Sequence, residues 1–399
     1  MTVRLYYQDP YVFHFRARVV ASAACGDGFA VELDRTCFYP EGGGQPPDTG
    51  TLGGRLVLSV REEGTRVVHL VDGPLESDEV DGLVDEARRR DHMEHHTGQH
   101  LLSAAFLATL GTPTVSMHLG ELDCTIDLTR PALSEDDAAR VEDLVNRVIR
   151  EDRSIRCFYP SLEELERLTL RKSPQVEENI RIVRVEGFDD SPCCGTHCPS
   201  TGRVGLVKVR RWEHYKGMTR VHFLCGGRAL RDYQWKSAAV NRLAEKMSVK
   251  DQALEGRVMA LLESHVELER AHRKLRAEML TTGAPALLAA AKSLPDGTRL
   301  VLRRLPDGST VEDLKTLADA VVREGRVVFA AGTASGKASL LFARSSDVTR
   351  DMAALLRACA GPAGGKGGGS PQLAQGGCPA ERLDEVLATV ERELGSSDS

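Results

Sequence analysis

The chain has 399 residues, 41% of them hydrophobic and 28% charged, with a formal net charge of −6. That length suits two or three domains with a sizeable core, and the acidic balance excludes a globally basic nucleic-acid binder, so any RNA contact must come from local patches. The opening MTVRLYYQDPY lacks the apolar core of a secretory signal, no run approaches a membrane span, and the ten cysteines read as reduced thiols of a cytoplasmic enzyme.

Residues 1–75 read as strands and turns, with short alternating runs at 13–22, 29–33, 52–58 and 66–70. Between them lies Thr36-Cys37-Phe38-Tyr39-Pro40-Glu41-Gly42-Gly43-Gly44-Gln45. Three successive glycines leave a backbone free to approach a ligand closely, although a plain hairpin loop has the same composition. Residues 78–90 read as a charged turn and lead-in. Their end, Arg88-Arg89-Arg90, reads either as a solvated helix start or as a phosphate contact.

The stretch HMEHHTGQHLL at 92–102 follows, leading into LLSAAFLATLG, and predicts one helix ending near Gly111. His92, His96 and His100 are spaced by four and share one helical face. Two imidazoles at that spacing are half of a tetrahedral zinc site. About ninety residues on, Cys193 and His197 stand four apart within Cys193-Cys194-Gly195-Thr196-His197-Cys198. An HxxxH and a CxxxH in one chain point to a metal, with His92 and His96 as the rival histidine pair and with Cys194 and Cys198 as spare donors or inert buried thiols.

Between these motifs, two strands are predicted over 115–128, a helix after Ser134, a shorter helix after Ser161 and a β-branched strand at 180–185. Strands at 204–210 and 219–224 follow. The result is an α+β domain over about 1–225, helices packed on an antiparallel sheet. From Arg228 to about Leu280, Leu230, Tyr233, Val240, Leu243, Met247, Leu254, Val258, Leu261, Leu268 and Leu275 recur at helical intervals, with His265 breaking the stripe. One long helix or two helices, able to pack as a coiled coil, is predicted there, ended by a break at 282–285.

The remainder reads as a small α/β domain with strands at 299–304, 327–331 and 338–343 and a helix at 311–324. The run GTASGK at 332–337 fails as a nucleotide loop, because Ala331 and Ala338 stand where glycine and a hydroxyl are needed, and reads as a hairpin turn. GPAGGKGGGSPQLAQGG at 361–377 leaves Lys366 amid exposed N–H groups, in a loop able to hold phosphate or ribose or in one with no ligand.

HTGQHLLSA together with CCGTHCPSTGRVGLVKV resembles the editing domain of alanyl-tRNA synthetases, and still more the free-standing alanyl-tRNA editing proteins, the AlaX family, in their long form. TxFYPEGGGQ resembles that family's glycine-rich motif, and 361–377 resembles the DHH-associated domain. The resemblance implies one Zn2+ per chain on His96, His100, Cys193 and His197. It places Thr36, Gln45, His96 and His100 in catalysis, and Thr36, Gly42, Gly43, Gly44, Gln45 and Lys366 in substrate binding, with the Thr36 hydroxyl recognising a serine side chain.

The implied fold class is α+β. It comprises a β-rich glycine-motif subdomain (1–75), a zinc-binding editing domain with antiparallel sheet (76–226), a long helical linker (227–284) and a C-terminal α/β domain (285–399). The implied activity is trans-editing: zinc-assisted, ATP-independent hydrolysis of Ser-tRNA(Ala), with Gly-tRNA(Ala) as a further substrate. The implied partner is mischarged tRNA(Ala), with no membrane and with a homodimer through the long helix or the C-terminal domain. Nothing resembles an aminoacylation core, so a hydrolase and not a ligase is expected. Two other readings stay open: hydrolysis of another aminoacyl ester, and a non-catalytic tRNA-binding protein with structural zinc.

Overall fold

A computed structural model describes residues 1–174, 176 and 178–395. The chain divides into two compact units, 1–243 and 244–399.

The first unit begins with β1 (Val3–Arg4), β2 (His14–Cys25), β3 (Gly28–Leu33), β4 (Arg35–Thr36), β5 (Gly50–Leu52), β6 (Arg55–Glu63), β7 (Arg66–Val71) and β8 (Glu79–Val84). Six of these close into a barrel in the order β2-β3-β7-β6-β5-β8, and β1 pairs with β4. Closure leaves no free edge, and Phe15, Val31, Leu33, Phe38, Val57, Val60 and Val71 fill the interior. The stretch expected as a charged turn contains β8. Its acids alternate outward while Val80, Gly82 and Val84 face inward, so the charges disguise a period of two. The barrel therefore runs past residue 75.

The next elements are α1 (Glu86–Leu110), β9 (Thr114–Leu119), β10 (Cys124–Leu128), α2 (Glu135–Arg150), β11 (Ile155–Phe158), α3 (Leu162–Arg167), β12 (Ile182–Val185), β13 (Asp189–Pro192), β14 (Val207–Tyr215) and β15 (Met218–Cys225). Asp85 caps α1 by accepting from the Arg88 N–H, and Gly111 closes it in the left-handed region at φ 62°. Two antiparallel sheets result, β14-β15-β10-β9 and β11-β12-β13. Met93, Leu101, Leu102, Ala105 and Phe106 of α1 pack with Ile126, Val141, Val145 and Phe223. Helix α1 thus runs through the middle of the domain, and its polar residues from His92 to His100, Glu94 excepted, are buried with it. Such groups need partners, and those partners build the site.

The long helical stretch is two helices, α4 (Gly226–Lys246) and α5 (Leu254–Ala289), interrupted near Ser248, which sits at φ 53°. The expected break at 282–285 is absent, since α5 continues through Pro285. Proline removes one helical hydrogen bond and costs about 3 kcal/mol. Here Ala284 and Leu288, on either side of Pro285, are buried in one cluster with Leu314, Leu317 and Val321, which offsets that loss.

The second unit adds β16 (Lys292–Ser293), β17 (Arg299–Arg304), α6 (Val311–Val322), β18 (Val327–Ser335), β19 (Lys337–Arg344), α7 (Met352–Ala360), β20 (Lys366–Gly369), β21 (Leu373–Pro379) and α8 (Leu383–Gly395). Its sheet runs β16-β17-β18-β19-β21-β20, with β17 and β18 parallel. The end of α5 and α6 cover one face, and α7 and α8 the other. GTASGK is a hairpin, with Ser335 paired to Lys337 across Gly336. The glycine-rich segment expected as a loop contributes the edge strand β20, paired with β21. A Cβ at Gly367 would lie 2.6 Å from Leu356 Cδ2, so glycine lets this strand lie against α7.

Candidate metal centre and its cavity

His96, His100, Cys193 and His197 converge, with one donor atom from each lying within 4.8 Å of the others. Helix α1 supplies the first two, and the loop after β13 supplies the rest. Cys193 Sγ is 3.3 Å from His96 Nε2 and 3.4 Å from His197 Nε2. The rival pair is not formed: His92 lies outside this group, buried, with its Nδ1 unpartnered. His95 is tied to the Asp91 carbonyl and accepts from the Cys225 N–H.

Each ligand histidine has an outer partner on the ring nitrogen turned away from the cluster. His96 Nδ1 donates to Gln45 Oε1 at 2.7 Å. His197 Nδ1 is 3.4 Å from Thr97 Oγ1. His100 Nδ1 is 3.8 Å from Asp189 Oδ2, a buried carboxylate oxygen with no hydrogen-bond partner. Arg171 holds the other oxygen of Asp189 at 2.9 Å. A metal-ligating histidine is oriented in this way by the group on its second nitrogen.

The protonation states suit a cation. Burial pushes His197 down to about 3 and lowers His96, so both imidazoles are neutral donors. Burial works to raise the Cys193 thiol, but His96, His197 and His100 around it bring it well below its ordinary value. A thiolate beside the neutral imidazoles of His96 and His197, with His100 completing the set, fits a borderline-soft divalent metal in tetrahedral geometry.

Arg181 fixes the cysteine loop by donating to the carbonyls of Cys193 at 2.8 Å and Gly195 at 2.9 Å. A Cβ on Gly195 would lie 2.1 Å from His96 Cε1, so only glycine lets the loop approach the helix. Cys194 stays outside the ligand group on the cavity wall. Cys198 is buried behind the loop, its thiol pushed up to about 11 by burial. Neither serves as a fifth donor in this arrangement.

A cavity of about 360 Å³ opens beside the cluster, walled by His96, Gln99, His100, Cys193, Gly42 and Gly43 among others. Gly44 packs on Met117 and is not part of the wall. Gln45 is 1% exposed and does not face the cavity. Besides holding His96, it accepts from the Thr196 N–H and donates to Thr196 Oγ1. The glycine motif therefore braces the metal loop.

Thr36 also departs from its expected place. It is fully buried and absent from the cavity wall. The Val31 carbonyl can only accept, so His69 carries its proton on Nδ1 and takes the Thr36 hydroxyl proton on Nε2 at 2.8 Å. The Phe38 N–H donates to the same hydroxyl oxygen. Its position on β4, against the barrel interior, explains the difference. Lys366 belongs to the second unit, exposed on β20.

The three arginines of the triplet are each tied to neighbouring groups, and only Arg89 is fully buried. Arg89 is 0% exposed and ion-paired with Asp48 of the glycine loop. Arg90 pairs with Glu86 and lies over Tyr11 and Phe13. Arg88 donates to the Pro47 carbonyl and approaches Glu121. Sequence reasoning missed Gln99, Arg181, Lys172 and Tyr7, which line the cavity. Only Gln99 carried a signal, its place between the two histidines.

Two family descriptions match: "Threonyl and Alanyl tRNA synthetase second additional domain" over residues 180–222, and "DHHA1 domain" over residues 297–396. The chain is 32% identical to the alanyl-tRNA editing protein AlaX-L of Pyrococcus horikoshii, over 99% of this chain and 100% of that one. It is 30% identical to an alanine–tRNA ligase of Korarchaeum cryptofilum, over 98% of this chain and 45% of the ligase. The ligase of Pyrococcus abyssi is 31% identical, over 94% and 42%. The chain thus spans less than half the length of these ligases and all of the editing protein. It belongs to the alanyl-tRNA editing protein family, in the long form AlaX-L.

Proposed function

We propose that the chain is a trans-editing hydrolase that deacylates Ser-tRNA(Ala), and Gly-tRNA(Ala) as a second substrate, with one Zn2+ on His96, His100, Cys193 and His197. The observation that carries this reading is the convergence of those four side chains, three of them buried, beside a cavity that the glycine loop helps to wall. Bound zinc would supply a Lewis acid that polarises the ester carbonyl or lowers the pKa of a water.

The protein's own groups hold that chemistry in place. Gln45 orients His96 by a hydrogen bond, and the Asp189 carboxylate faces His100 Nδ1 at 3.8 Å. Gly42 and Gly43, without side chains, let the aminoacyl ester lie against the loop backbone. Thr36 acts from behind, holding the start of the loop through Phe38. The cavity extends along Tyr7, over whose ring the Arg181 guanidinium sits at 4.9 Å, and along Lys172. An aromatic and guanidinium surface suits the terminal adenosine, and the ammonium its phosphate. Lys366 on β20 is a further backbone contact for tRNA.

Among the described residues no helix is long and apolar enough to cross a membrane, and all ten cysteines are free thiols, in keeping with a cytoplasmic enzyme. A second copy covers the outer face of α5. There Leu254, Val258, Leu261, His265, Leu268, His272, Leu275 and Met279 follow a heptad spacing, and Leu261, Leu268, Leu275 and Met279 are 53–69% exposed. Antiparallel pairing of two copies sets Glu255 opposite Arg276 and Arg257 opposite Glu278, whereas parallel pairing matches no charges.

The test is deacylation by wild type, His100→Ala and Cys193→Ala, with zinc content and folding measured for each. Loss of zinc and of hydrolysis together supports the reading. Unchanged hydrolysis in a folded, zinc-free variant refutes it.

A further inference from the structure

A second pocket, of about 560 Å³, opens between the start of α1 and the start of α4. Its basic groups come in two pairs at helical spacing, Arg88 with His92 on α1 and Arg228 with Arg231 on α4. His92 is 3% exposed, and its Nδ1 is sealed and unpartnered. Its Nε2 has no hydrogen-bond partner among the described residues either, but it is not sealed, so the surface it retains opens on the pocket. A proton on Nε2 makes the ring a donor toward that space. Arg231 makes no hydrogen bond or salt bridge among the described residues, and a Cβ at Gly227 would lie 3.3 Å from its Nη1, so the guanidinium turns back over the first turn of α4. Arg88 is held loosely, with Glu121 at 3.6 Å and that carboxylate side chain 82% exposed. The other charged groups on the wall are engaged. Arg228 is ion-paired with Asp91, Glu94 accepts from the Gly227 N–H at 3.4 Å, and Arg90 pairs with Glu86. A buried imidazole with neither nitrogen satisfied is costly, and an acceptor bound at Nε2 relieves part of that cost.

We propose that this pocket is an anion subsite that holds a backbone phosphate of the tRNA, with Arg231, Arg88 and His92 Nε2 as its donors. The choice of RNA as the source of the phosphate rests on the editing reading above. Guanidinium groups suit a phosphate because their N–H groups match its oxygens in pairs. The pocket and the metal-centre cavity share three borders. Helix α1 carries Arg88 eight residues before His96, about 12 Å along its axis. Strand β9 lines the cavity at Met117, and the turn after it lines the pocket at Glu121. The glycine loop lines the cavity at Gly43, and its Pro47 carbonyl accepts from Arg88. A strand that leaves its terminal ribose at the metal centre therefore reaches the pocket within a few nucleotides. In a chain of net charge −6, phosphate contacts have to be local, and this pocket supplies one.

The experiment measures binding of uncharged tRNA(Ala) over a range of salt concentrations to zinc-loaded wild type, Arg231→Gln, His92→Leu and His92→Gln. Arg16→Gln, an exposed arginine on barrel strand β2, controls for loss of one charge elsewhere. Zinc content and melting temperature check the fold of each. The expected result is that Arg231→Gln binds roughly tenfold more weakly, with the slope of log affinity against log salt reduced by about one. His92→Leu also weakens binding, His92→Gln restores part of it by keeping an N–H donor, and Arg16→Gln matches wild type. Affinity and slope unchanged in Arg231→Gln, or the same loss in Arg16→Gln, overturn the proposal. It is also overturned if inorganic phosphate raises the melting temperature of wild type but not of Arg231→Gln while tRNA affinity ignores the substitution, since the pocket then takes a small free anion. The probe carries no amino acid, so the outcome is independent of hydrolysis. Wild type that binds tRNA(Ala) through Arg231 but deacylates neither ester loses the editing reading and keeps this site.

Discussion

Gln45 Oε1 accepts a hydrogen bond from His96 Nδ1 at 2.7 Å, and this contact joins residues 51 positions apart in the chain. It makes the glycine loop part of the metal centre. Gln45→Leu leaves the buried ring N–H unpaired and the imidazole free to turn, so zinc affinity is expected to fall about 10–100-fold. Competition with a chromophoric chelator measures this. Retention equal to wild type would show that the loop and the cluster are independent.

The buried pair of Arg89 and Asp48 joins α1 to the same loop, with side chains 0% and 1% exposed. Asp48 also accepts from the Tyr39 N–H. Removing one partner strands a charge in the interior, so Arg89→Met is expected to cost about 3–5 kcal/mol in chemical denaturation. The double variant Arg89→Met with Asp48→Asn should recover part of that loss. Equal losses in the single and double variants would mean that packing, and not the stranded carboxylate, sets the cost.

Acid should destabilise the protein through His69 and His92. Burial lowers each from 6.5 to about 4. Below 6.5 the unfolded chain takes up protons that the folded chain refuses, so stability is lost as pH falls from about 6.5 to about 4. For His69 alone the limit is about 3 kcal/mol. A flat melting temperature between pH 7 and pH 4.5 would contradict this. In His69→Gln the slope should be shallower.

The α5 face provides a test of assembly. Leu261→Asp with Leu268→Asp, at two of the exposed heptad leucines, is expected to turn a dimer into a monomer by sedimentation, with deacylation per chain preserved. Wild type sedimenting as a monomer would remove a second copy as the cover of that face.

The sequence exposed the metal cluster because its donors come in two local pairs at helical spacing, and only their meeting needed the fold. Cys194, Cys198 and His92 were indistinguishable from donors until burial and distance separated them. The roles of Gln45 and Arg181 arise from contacts with residues far off in the chain or packed against the folded cysteine loop, which a single sequence does not display. Thr36 was misplaced for the same reason, since its partner His69 lies on another strand of the barrel. Strand β8 was hidden by outward acids, and the helix through Pro285 by a local rule that tertiary burial of Ala284 and Leu288 overrides.

The most direct measurement is the rate at which purified protein of known zinc content deacylates Ser-tRNA(Ala) beside Ala-tRNA(Ala). The account predicts fast loss of serine, little loss of alanine and one zinc per chain. Zinc present with neither ester hydrolysed would contradict it.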